Sequence, residues 1–259
     1  MNRFIECVGV GKIYPGKNEP VEALRGIDFT CDAGDFVCLL GRSGCGKSTL
    51  LQMMAGLEPP TAGQIAVAGR ELHGPSPDAA IVFQDHGLFP WMSVQKNVEF
   101  NMKARGTPTA ERKRIAAHFI AMTSLTGFEG RYPHELSGGM RQRVGIARAL
   151  TTDPKALLMD EPFGALDAQT RGNLQDELLQ VWQQTKKTVL FITHSVDEAL
   201  LLADRVIVMT AAPGRIRVDL PVDLPRPRDE NSVAFNTLEK QIKDMVLAEA
   251  RVAEKEYTR

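Results

Sequence analysis

The 259-residue sequence is poor in cysteine and aromatic residues, has no long apolar run, and carries no excess of either charge. Each shortage excludes something. The four cysteines are Cys7, Cys31, Cys38 and Cys45; they form neither a CxxC pair nor a cysteine–histidine spacing suited to zinc. The longest apolar stretches, "FVCLL", "VLFI" and "ALLLA", are far too short to cross a bilayer. The start, "MNRFIECVGV", lacks the basic-then-apolar pattern of a secretory leader. With 31 Lys and Arg against 32 Asp and Glu, the net charge of −1 gives no electrostatic reason to expect nucleic acid as a partner. These absences describe a reduced, cytosolic chain that reaches a membrane only through a partner.

What is present is ordinary for a globular protein: 43% hydrophobic and 24% charged residues, enough to bury a sizeable core. The length suits one large α/β domain with an inserted subdomain. "FVCLLG" (36–41), "KALLMD" (155–160), "TVLFIT" (188–193) and "RVIVM" (205–209) are short apolar runs of the kind that form buried strands. Helical stretches separate them, such as "KSTLLQMMAGL" (47–57) and 171–185. This alternation predicts a mostly parallel sheet covered on both faces. Residues 4–30 and 64–70 read as an antiparallel flank. Residues 86–150 read as a helical insertion between core segments 1–85 and 151–259. Within it, Thr107 is a cap candidate with Pro108 at the first helical position. "DLPVDLPRPR" (219–228) is too proline-rich for a helix or central strand and reads as an extended connector. Phe235, Leu238, Ile242 and Met245 then recur at helical spacing.

"GRSGCGKST" (41–49) matches GxxxxGK[ST] and joins a strand to a helix, the context this phosphate loop requires. Gly41, Arg42, Ser43, Gly44, Cys45, Gly46, Lys47, Ser48 and Thr49 therefore form the nucleotide-binding candidate. Its glycines let backbone N–H groups turn inward, Lys47 suits the β- and γ-phosphates, and Ser48 suits Mg²⁺. Cys45 reads as a small filler between glycines rather than a nucleophile. "ALLMDEP" ends a strand in two carboxylates: Asp160 is placed to hold Mg²⁺ through water and Glu161 to activate an attacking water. Gln84 in "IVFQD" and His194 in "FITHS" follow strand-like runs, where side chains gather round a ligand in parallel sheets; Gln84 is placed to touch Mg²⁺ and water, and His194 to contact the γ-phosphate and hold the water geometry. His73, His86, His118 and His134 have no such context and read as structural or surface residues. Tyr14 in "KIYPG" reads as a loop aromatic able to stack on adenine, with a core tyrosine as the alternative.

"ELSGGMRQR" (135–143) is a second glycine turn that runs into a basic helix and also looks suited to an anion. Taken together, "GRSGCGKST", Gln84, "LSGGM", "LLMDEPFGALD" and His194 resemble the ATP-binding-cassette family of transporter ATPases, in that family's order and over nearly the whole chain. The resemblance implies an α/β P-loop NTPase with a RecA-like core, an antiparallel β subdomain and a helical subdomain. It implies ATP and Mg²⁺ as ligands, a Q-loop role for Gln84, a D-loop role for Asp167 and a switch role for His194. It also implies that two cassettes pair head-to-tail, with Ser137, Gly138 and Gly139 of each capping ATP held by the other.

Met140 replaces the glutamine commonest in the wider family. "LSGGMRQR", "LFPWMSVQKNVEF" (88–100), "APGRI" and "LPRPR" look like the subgroup that serves nitrate, sulfonate and taurine importers. That implies permease subunits, an indirect link to a periplasmic solute-binding protein, and a peripheral position on the cytoplasmic face of the inner membrane. Residues Phe89–Val94 are the candidates for permease contact; packing within their own subdomain is the alternative for Trp91. A cassette ATPase with no transport role, acting on nucleic acid, ribosomes or cluster assembly, is the second reading. A metabolic P-loop kinase is a third, but it leaves "LSGGM" without a purpose.

Overall fold

The computed structural model describes residues 3–257. The chain divides into two compact units, Met1–Ser76 with Thr188–Arg259, and Pro77–Lys187. The second takes in the helical stretch expected at 86–150 and adds two strands and a further helix to it.

In the first unit, β1 (Arg3–Tyr14) and β2 (Val21–Asp32) pair antiparallel, and β4 (Ala62–Val67) and β5 (Arg70–Glu71) continue the sheet in the order β2-β1-β4-β5. Tyr14 is thus the last residue of a strand, paired with Val21, and not a loop residue as expected. A second sheet is built on β3 (Phe36–Leu40), which lies parallel to both β8 (Thr188–Thr193) and β9 (Arg205–Met209). Every residue of β3 and β8 is buried, which is why these strands are continuous apolar runs without alternation.

The edge is β10 (Ile216–Pro221), antiparallel to β9. The proline-rich connector therefore gives its first three residues to a strand. An edge position tolerates this because Pro221 has no N–H to donate. Beyond it, Arg226 bonds Asp204 and the Leu202 carbonyl, while Arg228 bonds the carbonyls of Leu200, Ala203 and Val222. The carbonyls of Leu200, Leu202 and Ala203 are C-terminal groups of α6 (Val196–Leu202) and its exit, which a helix cannot satisfy internally. Burial and the neighbouring Arg226 push Arg228 down to about 10. The unit is completed by α1 (Lys47–Met54) and α7 (Val233–Tyr257); α7 buries Phe235 and Ile242 and packs on α6.

In the second unit, β6 (Ala79–Val82) lies parallel to β7 (Ala156–Asp160). Four helices accompany them: α2 (Val94–Ala104), α3 (Thr109–Met122), α4 (Gly138–Leu150) and α5 (Ala168–Thr185). Val94, Val98, Met102, Ala116, Ile120 and Val144 interlock α2, α3 and α4. Pro108 stands at the cap of α3 rather than at its first helical position, because its ψ of 145° is extended. Its carbonyl accepts the first helical bond, from Arg112 N at 3.0 Å. No helix among the described residues is long and apolar enough to cross a membrane.

Candidate functional site

The first unit holds the glycine loop, His194 and Tyr14. Leu40, the last residue of β3, is the register partner of Thr193, the last of β8. Gly41 and His194 are therefore the first residues past the same rung, at one end of the sheet. That placement follows from parallel pairing, which brings strand C-termini to one edge. From Gly41 the chain turns through Arg42, Ser43 and Gly44, all but Gly41 exposed, and enters α1. Gly46 caps α1 with φ at 89°, in the left-handed region that disfavours any side chain. An added Cβ there would also lie 2.6 Å from Leu24 Cδ2.

No acidic residue occupies the first turn of α1, so the positive end of the helix is left open to an anion. The buried Lys47 folds back over the loop, its Nζ 2.7 Å from the Gly41 carbonyl and 3.0 Å from that of Arg42. Ser48 is exposed and Thr49 half-buried. Cys45 is 1% exposed and burial raises its thiol pKa, which fits a filler and not a nucleophile. Burial likewise pushes Cys7 up to about 12 and raises Cys31 and Cys38.

His194 is exposed between β8 and α6, and its turn is braced from within. The buried Thr193 hydroxyl lies 2.5 Å from Glu198 Oε2 and accepts from Ser195 N at 3.0 Å. The half-buried ring of Tyr14 is no core residue; the Lys12 ammonium lies 5.0 Å from its centroid, over the ring.

The second unit gathers its candidates round one turn, Glu161–Asp167. Glu161 follows Asp160, the last residue of β7, and takes a φ of 40°, uncommon for a residue with a side chain. Gly164 N donates to the Glu161 carbonyl at 3.1 Å. A Cβ added at Gly164 would lie 3.7 Å from Gln84 Nε2 and 3.8 Å from Glu161 Oε2, so both side chains face this glycine. At the other end of the turn, Leu166 lies 3.1 Å from where a Cβ on Gly138 would sit.

Gly139 approaches α5 so closely that a Cβ would meet Thr170 Cγ2 at 2.5 Å, and Arg143 forks onto Glu177 at 2.7 and 2.8 Å. The start of α4 is thus clamped beside the start of α5. The two caps are alike: Ser137 Oγ accepts from Met140 N at 3.3 Å, and Asp167 Oδ1 accepts from Thr170 N at 3.0 Å. The Thr170 amide holds the Asp167 carboxyl below its ordinary range. Ser137 is exposed and keeps its hydroxyl proton to donate.

Three residues that sequence reasoning left aside hold the loop after Gln84. His86 Nδ1 lies 2.5 Å from Gln142 Oε1, and Arg148 donates to the carbonyls of Gly87 at 2.6 Å and His86 at 3.0 Å. No local pattern marks these contacts, because 56 to 62 positions separate the partners. Trp91 is 70% exposed, whereas Phe89 beside it packs at a tilt on Phe100, their ring centroids 4.3 Å apart.

A glycine loop opening a helix, beside a strand-end histidine, and a carboxylate-bearing turn that meets a second glycine turn define an ATPase of the cassette class. Residues 24–164 match the ABC transporter family, to which the chain belongs. It is 52% identical over 240 residues to an uncharacterised ABC transporter ATP-binding protein of Methanocaldococcus jannaschii, covering 91% of this chain and 90% of that one. It is 47% identical over 221 residues to the nitrate import ATP-binding protein NrtD of Synechocystis, covering 85% and 83%. It is 43% identical over 234 residues to the aliphatic sulfonates import ATP-binding protein SsuB of Bacillus cereus, covering 90% and 92%. Among solved structures it is similar to a dimeric ATP-binding cassette in a post-hydrolysis state bound to ADP and phosphate. That match has a TM-score of 0.75 and 29% identity, covering 84% of this chain and 98% of that one. The protein is an ATP-binding, ATP-hydrolysing α/β P-loop NTPase of the ABC transporter class.

Proposed function

We propose that this chain energises uptake of a small oxyanion-type solute, of the nitrate, sulfonate or taurine kind, through a membrane permease. ATP closes a head-to-tail pair of cassettes and hydrolysis opens it. The observation that carries the reading is the Glu161–Asp167 turn, which faces Gln84 on one side and packs against Gly138 on the other. Groups suited to hydrolysis and groups suited to gripping a second chain's nucleotide thus share one short segment. The similarity to nitrate and sulfonate import proteins supports the solute class, and the dimeric cassette neighbour supports the pairing.

In this reading the loop 41–49 wraps the phosphates, Lys47 turns from its loop carbonyls to the β- and γ-phosphates, and Tyr14 offers its ring to adenine. Ser48 and Asp160 would hold Mg²⁺. The donor chemistry fits: a hydroxyl and a carboxylate are hard oxygen ligands. Among the described residues no cluster of three His, Cys, Asp or Glu could cage a metal, and Mg²⁺ ordinarily takes one or two protein oxygens beside phosphate oxygens. When bound, the ion neutralises phosphate charge. Glu161 takes the proton from the attacking water, Gln84 orients that water, and His194 donates to the γ-phosphate.

Ser137, Gly138 and Gly139, at the start of α4, cap the γ-phosphate of the partner's ATP, with Asp167 beside them. Losing that phosphate removes the bridge, so the pair opens. The exposed Trp91 is the permease contact, which seats the chain on the cytoplasmic face of the membrane. A periplasmic binding protein that delivers the solute joins only through the permease.

Purification of the tagged chain from its native host tests this reading. An integral membrane subunit should co-purify. Recovery of ribosomes or nucleic acid in its place would overturn the transport role in favour of a cassette ATPase of another kind.

A further inference from the structure

"APGRI" belongs to none of the chemistry above, yet it packs directly against the phosphate loop. Between β9 and β10 the chain forms a loop, Thr210–Arg215, that ties itself shut. Thr210 N donates to the Arg215 carbonyl at 2.9 Å, and Thr210 Oγ1 accepts from Arg215 N at 2.9 Å and donates to the Pro213 carbonyl at 3.2 Å. The loop is also sewn to β2: Gly214 N donates to the Ala23 carbonyl at 2.9 Å, and Arg25 N donates to the Gly214 carbonyl at 3.0 Å. These bonds hold the buried Gly214 against the glycine loop. A Cβ at position 214 would lie 2.1 Å from the Cys45 carbonyl oxygen and 3.2 Å from its carbon. The oxygen is nearer by almost a full C=O bond length, so the carbonyl is directed toward the place a Cβ at 214 would take.

That direction has a consequence on the far side of the same peptide. The Cys45–Gly46 bond is trans, as only Ala212–Pro213 and Arg226–Pro227 are cis among the described residues. A planar trans peptide directs its N–H opposite to its C=O. With the Cys45 carbonyl turned outward to Gly214, the Gly46 N–H is turned inward to the hollow of the loop. Gly46 is held from another side by Ala23 and Leu24, and Gly41 packs against Met209, the residue before the clasp.

We propose that Gly214 is a positioning residue for nucleotide binding: it fixes the Cys45–Gly46 peptide with the Gly46 N–H aimed at phosphate. Any side chain at 214 strikes a backbone carbonyl that has no rotamer to yield, so the peptide must rotate or the loop must shift. Either movement misdirects a phosphate donor. Nucleotide affinity then depends on a residue 165 positions past the loop's end. The proposal rests on the reading of 41–49 as the phosphate loop.

The test is titration of purified full-length variants with ATP and ADP, alongside thermal unfolding. Gly214→Ala should bind both nucleotides about tenfold more weakly or worse, a difference of about 1.4 kcal/mol, while the folded fraction stays high at the assay temperature. Gly63→Ala is the control, since its Cβ would meet the Gly9 and Val8 carbonyls at 2.4 Å, in the strand sheet and away from the glycine loop. It should lower thermal stability and keep wild-type affinity. Thr210→Val adds no clash and only unties the clasp; it should weaken binding in the same direction by a smaller factor. It decides the matter if Gly214→Ala does not fold. Wild-type affinity in folded Gly214→Ala, or in Thr210→Val when Gly214→Ala does not fold, would overturn the proposal. Equal weakening in Gly63→Ala would do so too, because it would mark a general effect of a strained sheet. Lys47→Ala separates the two levels. If it binds ATP normally, the phosphate-loop reading fails; if it alone loses binding, only the role of Gly214 does.

Discussion

His86 Nδ1 and Gln142 Oε1 meet at 2.5 Å, joining the loop that follows Gln84 to the middle of the helix that Ser137 caps. Gln142 is fully buried, and its Nε2 has no hydrogen-bond partner among the described residues. His86 therefore carries the one bond that its carboxamide makes there. His86→Ala should destabilise the protein by about 1–3 kcal/mol, the cost of leaving a buried polar group unpaired. Denaturant unfolding measures it; a change below about 0.5 kcal/mol would mean that water or a shifted neighbour replaces the histidine.

Glu161 stands at a strand end with an unusual positive φ, facing the same glycine as Gln84. Glu161→Gln keeps the size and removes the base. Turnover should fall by at least about a hundredfold, with ATP still bound and the dimer accumulating on size-exclusion chromatography. Hydrolysis at the wild-type rate would take the role away from Glu161.

Ser137 is exposed at the start of α4, and no described contact buries its side chain. Ser137→Arg should therefore fold, bind ATP as the monomer with unchanged affinity, and fail both to dimerise and to turn over. Loss of monomer binding would place the turn in the chain's own nucleotide site.

Asp167 caps α5, and its carboxyl is held below the ordinary range first by the Thr170 backbone N–H. A depressed folded value stabilises the fold above the unfolded value, and the contribution disappears as pH falls through the folded value. The stability gap between wild type and Asp167→Asn should be full at neutral pH and close in acid. A gap that stayed constant down to pH 2 would show that the cap does not depend on the charge.

Trp91 is exposed although Phe89, its ring neighbour, is packed on Phe100 and fastened through Asn97. Trp91→Ala should leave the ATPase rate of the isolated chain unchanged and reduce recovery of the membrane subunit in pull-downs. A drop in thermal stability with undiminished recovery would make the residue a packing element of its own subdomain.

Much of this architecture was legible from the chain alone. The runs at 36–41, 155–160, 188–193 and 205–209 became β3, β7, β8 and β9 within a residue, because the middle of a strand buried on both faces must be largely apolar. The glycine loop was equally plain, because its glycines, its lysine and its hydroxyls are consecutive in the chain. Where local rules competed, the reading slipped. Pro108 took the cap because its backbone is extended, Tyr14 stayed in a strand because Val21 pairs with it, and the proline connector lent Asp219–Pro221 to an open edge.

Tertiary packing alone decided which distant groups meet. Nothing near Gly164 announces Gln84, eighty positions earlier; nothing near Gly138 announces Leu166; and nothing near Cys45 announces Gly214. Composition, periodicity and turn chemistry act over one or two helical turns or a single strand, so they specify elements and loops. Which carbonyl a glycine leaves room for, and which amide a histidine meets, follows only once strands have chosen their neighbours and helices have settled into contact.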